Sequence, residues 1–442
     1  MFALAGLAAK EDRLIATVDI GGAYLNADMT ASGVKVHMRL DPTMTKILVK
    51  IDPTFTEFVR DDGSSIVLLD KALYGCVESA HLWYKTLRKT LENYGLKANP
   101  IDPCVFNLCR ESPGSGKLSM ALHVDDLLIT CDSREELDRF FSYLRSEFKE
   151  ISVHQERKLS YLGMMFDFST EGEVKVTMEK CTEDIIRESG VETRRRTPAT
   201  SELFNTRDNV QLATDDESKW LHTNVAKMLY LSKRVRPECL TAVSFLTTRV
   251  LCCDIDDLAK LRRLLGYLLA TRERGIVIKV GELIQVKVYI DAAYGVHEDS
   301  GRSHGGVCVV LGESGPIDAK SGKQHNVTKS STEAELVALS DYAGRGIHLR
   351  NFLIGEGYEI GPVIIFQDNK SCMALIERGR PSSERSRHIN IRSFWLKEKV
   401  QTGEVKIVHL GTTRMFANIL TKPIQGNQFV VERGGLTNWK HE

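Results

Sequence analysis

Apolar and polar positions along the chain follow two periods, one suited to strands and one to helices. Residues 15–20 (IATVDI) form a short, mainly apolar run that carries Asp19 near its end, the pattern of a buried strand. From Leu73, apolar residues recur at Val77, Ala80, Trp83, Leu87, Leu91 and Tyr94, close to helical spacing, and Gly95 is a natural stop. Residues 118–124 (LSMALHV) and 127–131 (LLITC) read as two strands with Asp125-Asp126 between them. Ser133 and Glu136 have the spacing of a capping box, opening a helix with Leu137, Phe140, Leu144 and Phe148 on one face. This alternation predicts an α/β unit reaching about residue 170.

Residues 175–275 read differently. Segments 220–235 and 258–270 are helix-like, with Pro237 breaking between them, and Leu258, Leu261, Leu265 and Leu268 form an apolar stripe suited to core packing. Arg194-Arg195-Arg196-Thr197-Pro198 reads as a linker or an exposed turn. From about 280 strands return: Val286, Val288 and Ile290 alternate with polar residues, and 306–311 (GVCVVL) follows. A helix is predicted over 332–353, then a buried strand at 363–366 (VIIF) just before Asp368. The expected division is 1–170, a helical 171–278, 279–425, and a polar, frayed tail at 426–442.

The chain has 442 residues, 42% of them hydrophobic, enough for two or three cored domains. No apolar run approaches the roughly 18 residues of a membrane span. The first ten residues are small and apolar but lack a basic start, which argues against a signal peptide. Ten cysteines without a C-x-x-C pair point to free thiols in a reducing compartment and away from a zinc ribbon. A formal net charge of zero argues against a protein that simply coats nucleic acid, and leaves room for a local basic track. The candidates are Arg194-Arg195-Arg196, Lys233-Arg234-Val235-Arg236, Arg262-Arg263 and 320–329 (KSGKQHNVTK), though any such run is more often just a solvated face.

Two groups of acids carry candidate chemistry. Asp125-Asp126 could be a polar hairpin tip, but two-residue hairpin turns favour Asn-Gly or Asp-Gly, whose central residues take positive φ. Adjacent carboxylates repel by about 4 kcal/mol at ~4 Å in an effective dielectric of ~20, a cost that a divalent cation removes. Asp19 can supply a third carboxylate. Nucleotidyl transfer needs such a set, because two magnesium ions roughly 4 Å apart activate the attacking hydroxyl and stabilise the leaving group. The second group is Asp291 on a predicted strand, Glu333 and Glu335 at a helix start, and Asp368 after a buried strand. Carboxylates gathered from separate elements suit metal-assisted hydrolysis of a phosphodiester. Ser330 with Glu333 and Thr332 with Glu335 also both fit capping boxes, so spacing alone leaves the glutamates open.

Several motifs in order resemble the reverse transcriptase and RNase H region of copia-type retrotransposon Pol polyproteins. They are 17–29 (TVDIGGAYLNADM), 69–84 (LDKALYGCVESAHLWY), 123–128 (HVDDLL, similar to Y-V-D-D), Tyr161-Leu162-Gly163-Met164, Leu229-Tyr230-Leu231 and Arg236-Pro237. The later segments 291–295, 329–339, 367–375, 387–392 (RHINIR) and 417–423 (ANILTKP) resemble the family's RNase H pattern. The resemblance implies a multidomain α/β and α+β fold: a polymerase palm with partial fingers, a helical thumb or connection, and an RNase H-like α/β domain. It implies RNA-directed DNA polymerisation and hydrolysis of the RNA strand in RNA–DNA hybrids.

Residue by residue, the resemblance makes Asp19, Asp125 and Asp126 the metal-binding carboxylates of one site, and Asp291, Glu335 and Asp368 those of the other. Tyr24 matches the aromatic position under the incoming sugar, and Tyr74 and Gly75 match positions near the templating pair. The implied cofactor is Mg2+, two ions per site, with Mn2+ as a substitute. The implied partners are an RNA template, a DNA primer, RNA–DNA hybrid and deoxynucleoside triphosphates, without a membrane. The implied location is replication particles in the cytoplasm, with the nucleus as an alternative. Three features depart from the pattern. His123 replaces the usual Tyr, Asn418 stands where the family has a fourth Asp, and Met1 lies only 18 residues before Asp19, where the family has a longer fingers segment. They support a second expectation, a truncated or degenerate remnant that only binds nucleic acid or protein. Asn offers a metal one neutral oxygen and no charge, so impaired RNA cleavage is expected.

Overall fold

A computed structural model describes residues 1–108, 116–379 and 387–440, and they form two compact units. One comprises Leu14–Asn99 with Pro103–Gln155; the other comprises Met1–Arg13, Pro100–Asp102 and the chain from Glu156 onward.

The first unit is built on a six-stranded antiparallel sheet. Its order is Lys97–Ala98, Val105–Leu108, Leu118–His123, Asp126–Cys131, Leu14–Ile20, Ile151–His154. Side chains alternate across a strand, so Ala16, Val18 and Ile20 share a face with Leu127, Ile129 and Cys131 and meet Leu82, Trp83, Leu87, Leu137, Phe140 and Leu144 in one core. Those core residues come from the helices Ser79–Tyr94 and Arg134–Glu147. Ser133 caps the second helix, accepting from Glu136 N at 3.3 Å.

Two local expectations shift. The first helix starts at Ser79 rather than Leu73, because the Ser79 hydroxyl takes both polar groups of Leu73: N at 3.1 Å and O at 2.7 Å. Gly75 at φ +97° turns the chain there, which leaves Tyr74 and Val77 exposed. The hairpin turn is Val124-Asp125 rather than Asp125-Asp126, and Asp126 opens the returning strand opposite His123. Val124 takes φ +59°, an uncommon and strained conformation for a β-branched residue. A two-stranded ribbon, His37–Leu40 with Ser65–Leu68, and the helix Pro42–Ile51 complete this unit.

The second unit has two sheets. Four antiparallel strands run in the order Ile276–Lys279, Glu173–Thr177, Met164–Asp167, Lys158–Tyr161. A boundary at 170 therefore cuts through a sheet, and 171–278 is not wholly helical. The helices Glu179–Ser189, Asp215–Ser232, Leu240–Thr247 and Ile255–Ala270 lie within that stretch. The first of them, and the third, which follows Pro237, were not anticipated. Thr197, Pro198 and Ala199 are buried although Arg194 to Arg196 are exposed, so the segment is packed rather than a free linker.

The other sheet has five strands in the order Pro316–Lys323, Arg302–Leu311, Val286–His297, Val363–Gln367, Val405–His409. The first three pair antiparallel and the last two join in parallel. The 25-residue helix Ser331–Gly355 packs on it. Residues 426–437 are no frayed tail: Gly426–Thr437 is a helix that buries Phe429 and Leu436, and Trp439 after it is buried too. The charged pair Glu432-Arg433, itself buried on that helix, hid the apolar spacing of the segment.

Candidate active sites

Asp19 lies directly across from Asp126 in the antiparallel register of Leu14–Ile20 with Asp126–Cys131. Residues directly opposite point to the same face of a sheet, so the two carboxylates share the face away from the helical core. Asp125 follows in the turn, and its carbonyl accepts from Ile20 N at 3.2 Å. Asp19 is exposed and the other two acids are half-buried. The Asp126 carboxyl is raised above its ordinary range by partial burial, then by the charges of Asp125 and Asp19. Motifs far apart in sequence thus meet at one sheet end, where a bound cation would favour the ionised carboxylates.

The turn is held from behind by Trp83, whose Nε1 donates to Val124 O at 2.6 Å while its ring packs edge-on against Phe148 at 5.6 Å. Sequence periodicity marked Trp83 only as a core position; its fixed link to the turn was not visible there. Tyr24 lies in the short turn Ala23–Asn26, and its ring centroid is 5.8 Å from that of Tyr74. The chain therefore brings together two aromatic positions that were singled out separately, with Gly75 beside them.

The second site is tighter. Asp291 on Val286–His297, Glu335 on Ser331–Gly355 and Asp368 after Val363–Gln367 bring ligand oxygens within 4.8 Å of one another, and this is the one such acidic group found among the described residues. Asp291 and Glu335 are buried. Glu335 accepts from Ala292 N at 3.3 Å and from Gln367 Nε2 at 3.3 Å. Burial, then the charges of Asp291 and Asp368, push its carboxyl well above the usual range. The open choice between the glutamates closes here: Ser330 caps the helix by accepting from Glu333 N at 3.2 Å, while Glu335 turns to the acids. Asp368 accepts from Thr412 Oγ1 at 2.8 Å.

Asn418 sits in the short turn Phe416–Leu420, donating to Thr412 O at 2.9 Å. Two neighbours unremarked in the sequence belong to the site. Thr421 Oγ1 donates to Asp291, and Lys422 Nζ lies 3.1 Å from Asp291 Oδ2 and 3.2 Å from Asn418 Oδ1. The segment 387–392 opens the helix Arg387–Gln401; the side chains of 387–390 lie outside the described residues.

The basic runs separate by role. Arg236 is fully buried, donating Nε to Glu238 Oε1 at 2.8 Å, and is a core ion pair rather than a phosphate contact. Lys323 pairs with Asp299 at 2.9 Å. Arg195, Arg262 and Arg263 are drawn together around a cavity of about 1420 Å³ that acidic residues such as Asp216 and Asp256 also line. No helix among the described residues is long and apolar enough to cross a membrane.

Residues 2–200 match the family described as reverse transcriptase (RNA-dependent DNA polymerase), a span that includes Asp19, Asp125 and Asp126. This stretch belongs to the reverse transcriptase family. Beyond it, nearly the whole chain is similar to copia-type Pol polyproteins. It is 27% identical over 424 residues to the retrovirus-related Pol polyprotein from transposon RE2 of Arabidopsis thaliana, covering 95% of this chain and 27% of that one. It is 21% identical over 457 residues to the transposon Ty1-JR2 Gag-Pol polyprotein of Saccharomyces cerevisiae, covering 98% of this chain and 24% of that one. The chain thus spans about a quarter of the length of these relatives. Among solved structures, RNase H1 from Halobacterium salinarum aligns over 31% of this chain and 94% of its own, at 16% identity and a TM-score of 0.23, too low to support a structural conclusion.

Proposed function

We propose that this chain is an RNA-directed DNA polymerase joined to an RNase H-like nuclease. The observation that carries the reading is the register that sets Asp19 opposite Asp126, with Asp125 next to it, inside the segment that matches reverse transcriptases. The six-stranded sheet with its two helices would be the palm, and the ribbon and helix over 37–68 would belong to the fingers. The helices of 179–270 would be the thumb or connection, and the five-stranded sheet the core of the RNase H-like domain. The substrates would be an RNA template, a DNA primer, deoxynucleoside triphosphates and RNA–DNA hybrid.

Both acid sets offer hard carboxylate oxygens, the donor chemistry of Mg2+ or Mn2+. Bound there, the ions would activate a hydroxyl or water and stabilise charge on the leaving oxygen. The chain's own part is to aim the acids. Trp83 fixes the turn that presents Asp125, and Tyr24 beside Tyr74 would form an aromatic floor for the incoming sugar. Ala292 N and Gln367 hold the two oxygens of Glu335 toward Asp291 and Asp368. Primer extension on an RNA template tests the polymerase reading. Wild type should incorporate nucleotides and Asp125→Asn should lose at least about a hundredfold; equal or zero incorporation by both would overturn it.

Asn418 favours a second reading for the nuclease half, a fold that survives with weakened RNA cleavage. Asn418→Asp should then raise cleavage of an RNA–DNA hybrid, and no gain would count against that reading.

A further inference from the structure

The lysine beside Asn418 sits among the acids. Lys422 Nζ lies 3.1 and 3.3 Å from the two oxygens of Asp291 and 3.2 Å from Asn418 Oδ1. Its backbone N donates to Asn418 O at 2.8 Å, so the turn that carries Asn418 also sets where the ammonium stands. Thr421 Oγ1 donates to the same Asp291 carboxylate.

We propose that the ammonium of Lys422, held between Asp291 and Asn418, takes the position of a second cation, so that the Asp291–Glu335–Asp368 site binds one divalent metal ion rather than two. The inference rests on the hydrolytic reading of this site. Formal charge supports it. Once a bound cation has displaced the proton of Glu335, the three carboxylates carry three negative charges, and one divalent ion with one ammonium balances them. A fourth carboxylate at 418 would instead balance two divalent ions. Glu432 is buried and stands outside the acidic set. Like charges at short range repel strongly in a partly buried site, so an ammonium on Asp291 and a second divalent ion on that side exclude one another. The neutral oxygen of Asn418 is a good acceptor for the ammonium and a poor ligand for a second metal.

The test counts Mn2+ bound per full-length chain by electron paramagnetic resonance of the free ion. An Asp125→Asn/Asp126→Asn background removes the other acidic set. One bound ion is expected. Adding Asn418→Asp with Lys422→Met should raise the count to two. Lys422→Met alone should tighten the first ion several-fold, because no ammonium then competes for Asp291. Two ions in the starting background would overturn the inference and leave the hydrolytic reading standing. No ion would overturn both. One ion in the double replacement, or unchanged affinity in Lys422→Met, would show that Lys422 stands apart from the second cation position and overturn the inference.

Discussion

Asp19 and Asp126 meet across two neighbouring strands, the one exposed and the other half-buried, whereas Asp291, Glu335 and Asp368 come from two strands and a helix and the first two are buried. The first set gets its geometry from sheet register, which is local to one hairpin and one neighbouring strand. The second depends on a long helix and a parallel strand pairing brought together by packing. Openness and burial also divide the electrostatics. Repulsion in the first set is softened by water, while in the second it falls on a buried glutamate whose proton is held tightly. A chain can therefore gather acids in two ways, and each way leaves different residues responsible for aiming them.

The largest expected effect would break that comparison if the two sites are not independent. Asp291→Asn should lower RNA–DNA hybrid cleavage at least about a hundredfold and leave primer extension within about twofold, and Asp126→Asn should do the reverse. Both activities falling together in either variant would show one shared site or a common folding defect.

Acid should separate the two units next. His297 and His304 form a buried pair in the second unit, 2.9 Å from Nε2 to Nδ1 and packed on the ring of Phe204. Burial first, with nearby Lys323 adding to it, lowers them from 6.5 to about 4 and about 3. Folding thus favours their neutral forms. That stability is complete above pH ~6.5 and is lost as pH falls towards ~4, at a cost of about 2 kcal/mol for His304 by about pH 5. Hydrogen exchange at pH 7 and pH 5 should show protection falling in 286–323 while the strands of 14–131 keep theirs. Equal loss in both units would refute the assignment.

Smaller effects sharpen the first site. Trp83→Phe keeps the ring but leaves Val124 O without its 2.6 Å donor. Primer extension should drop about tenfold in kcat with KM for the nucleotide unchanged, while hybrid cleavage stays constant. A rise in KM alone would place Trp83 in binding instead. Smallest of all, Val124→Gly removes a β-branched side chain from φ +59° and should stabilise the protein by about 1 kcal/mol in urea unfolding, the left-handed strain exceeding the entropic cost of glycine.

Much of the first unit was legible in residue order, because strand alternation and helical spacing are set by each segment's own apolar pattern. The strand holding Asp19, the capped helix after Ser133 and the two hairpin strands all follow from that. The exact turn did not, since a shift of one residue depends on how Val124 is held by Trp83, a residue 41 positions away. The helix 426–437 was hidden because its charged Glu432 and Arg433 are buried too, and the boundary at 170 fell inside the hairpin that pairs Met164–Asp167 with Glu173–Thr177.

Sequence by itself determined the family of the first two hundred residues, the acids and the elements that carry them. Tertiary structure alone decided that Asp19 stands opposite Asp126, that the oxygens of Glu335 close on those of Asp291 and Asp368, and that Lys422 fills the space beside Asn418. Periodicity records which face of an element is apolar, a property of neighbouring residues. Which carboxylates meet depends on register and packing between distant segments, which no local pattern encodes.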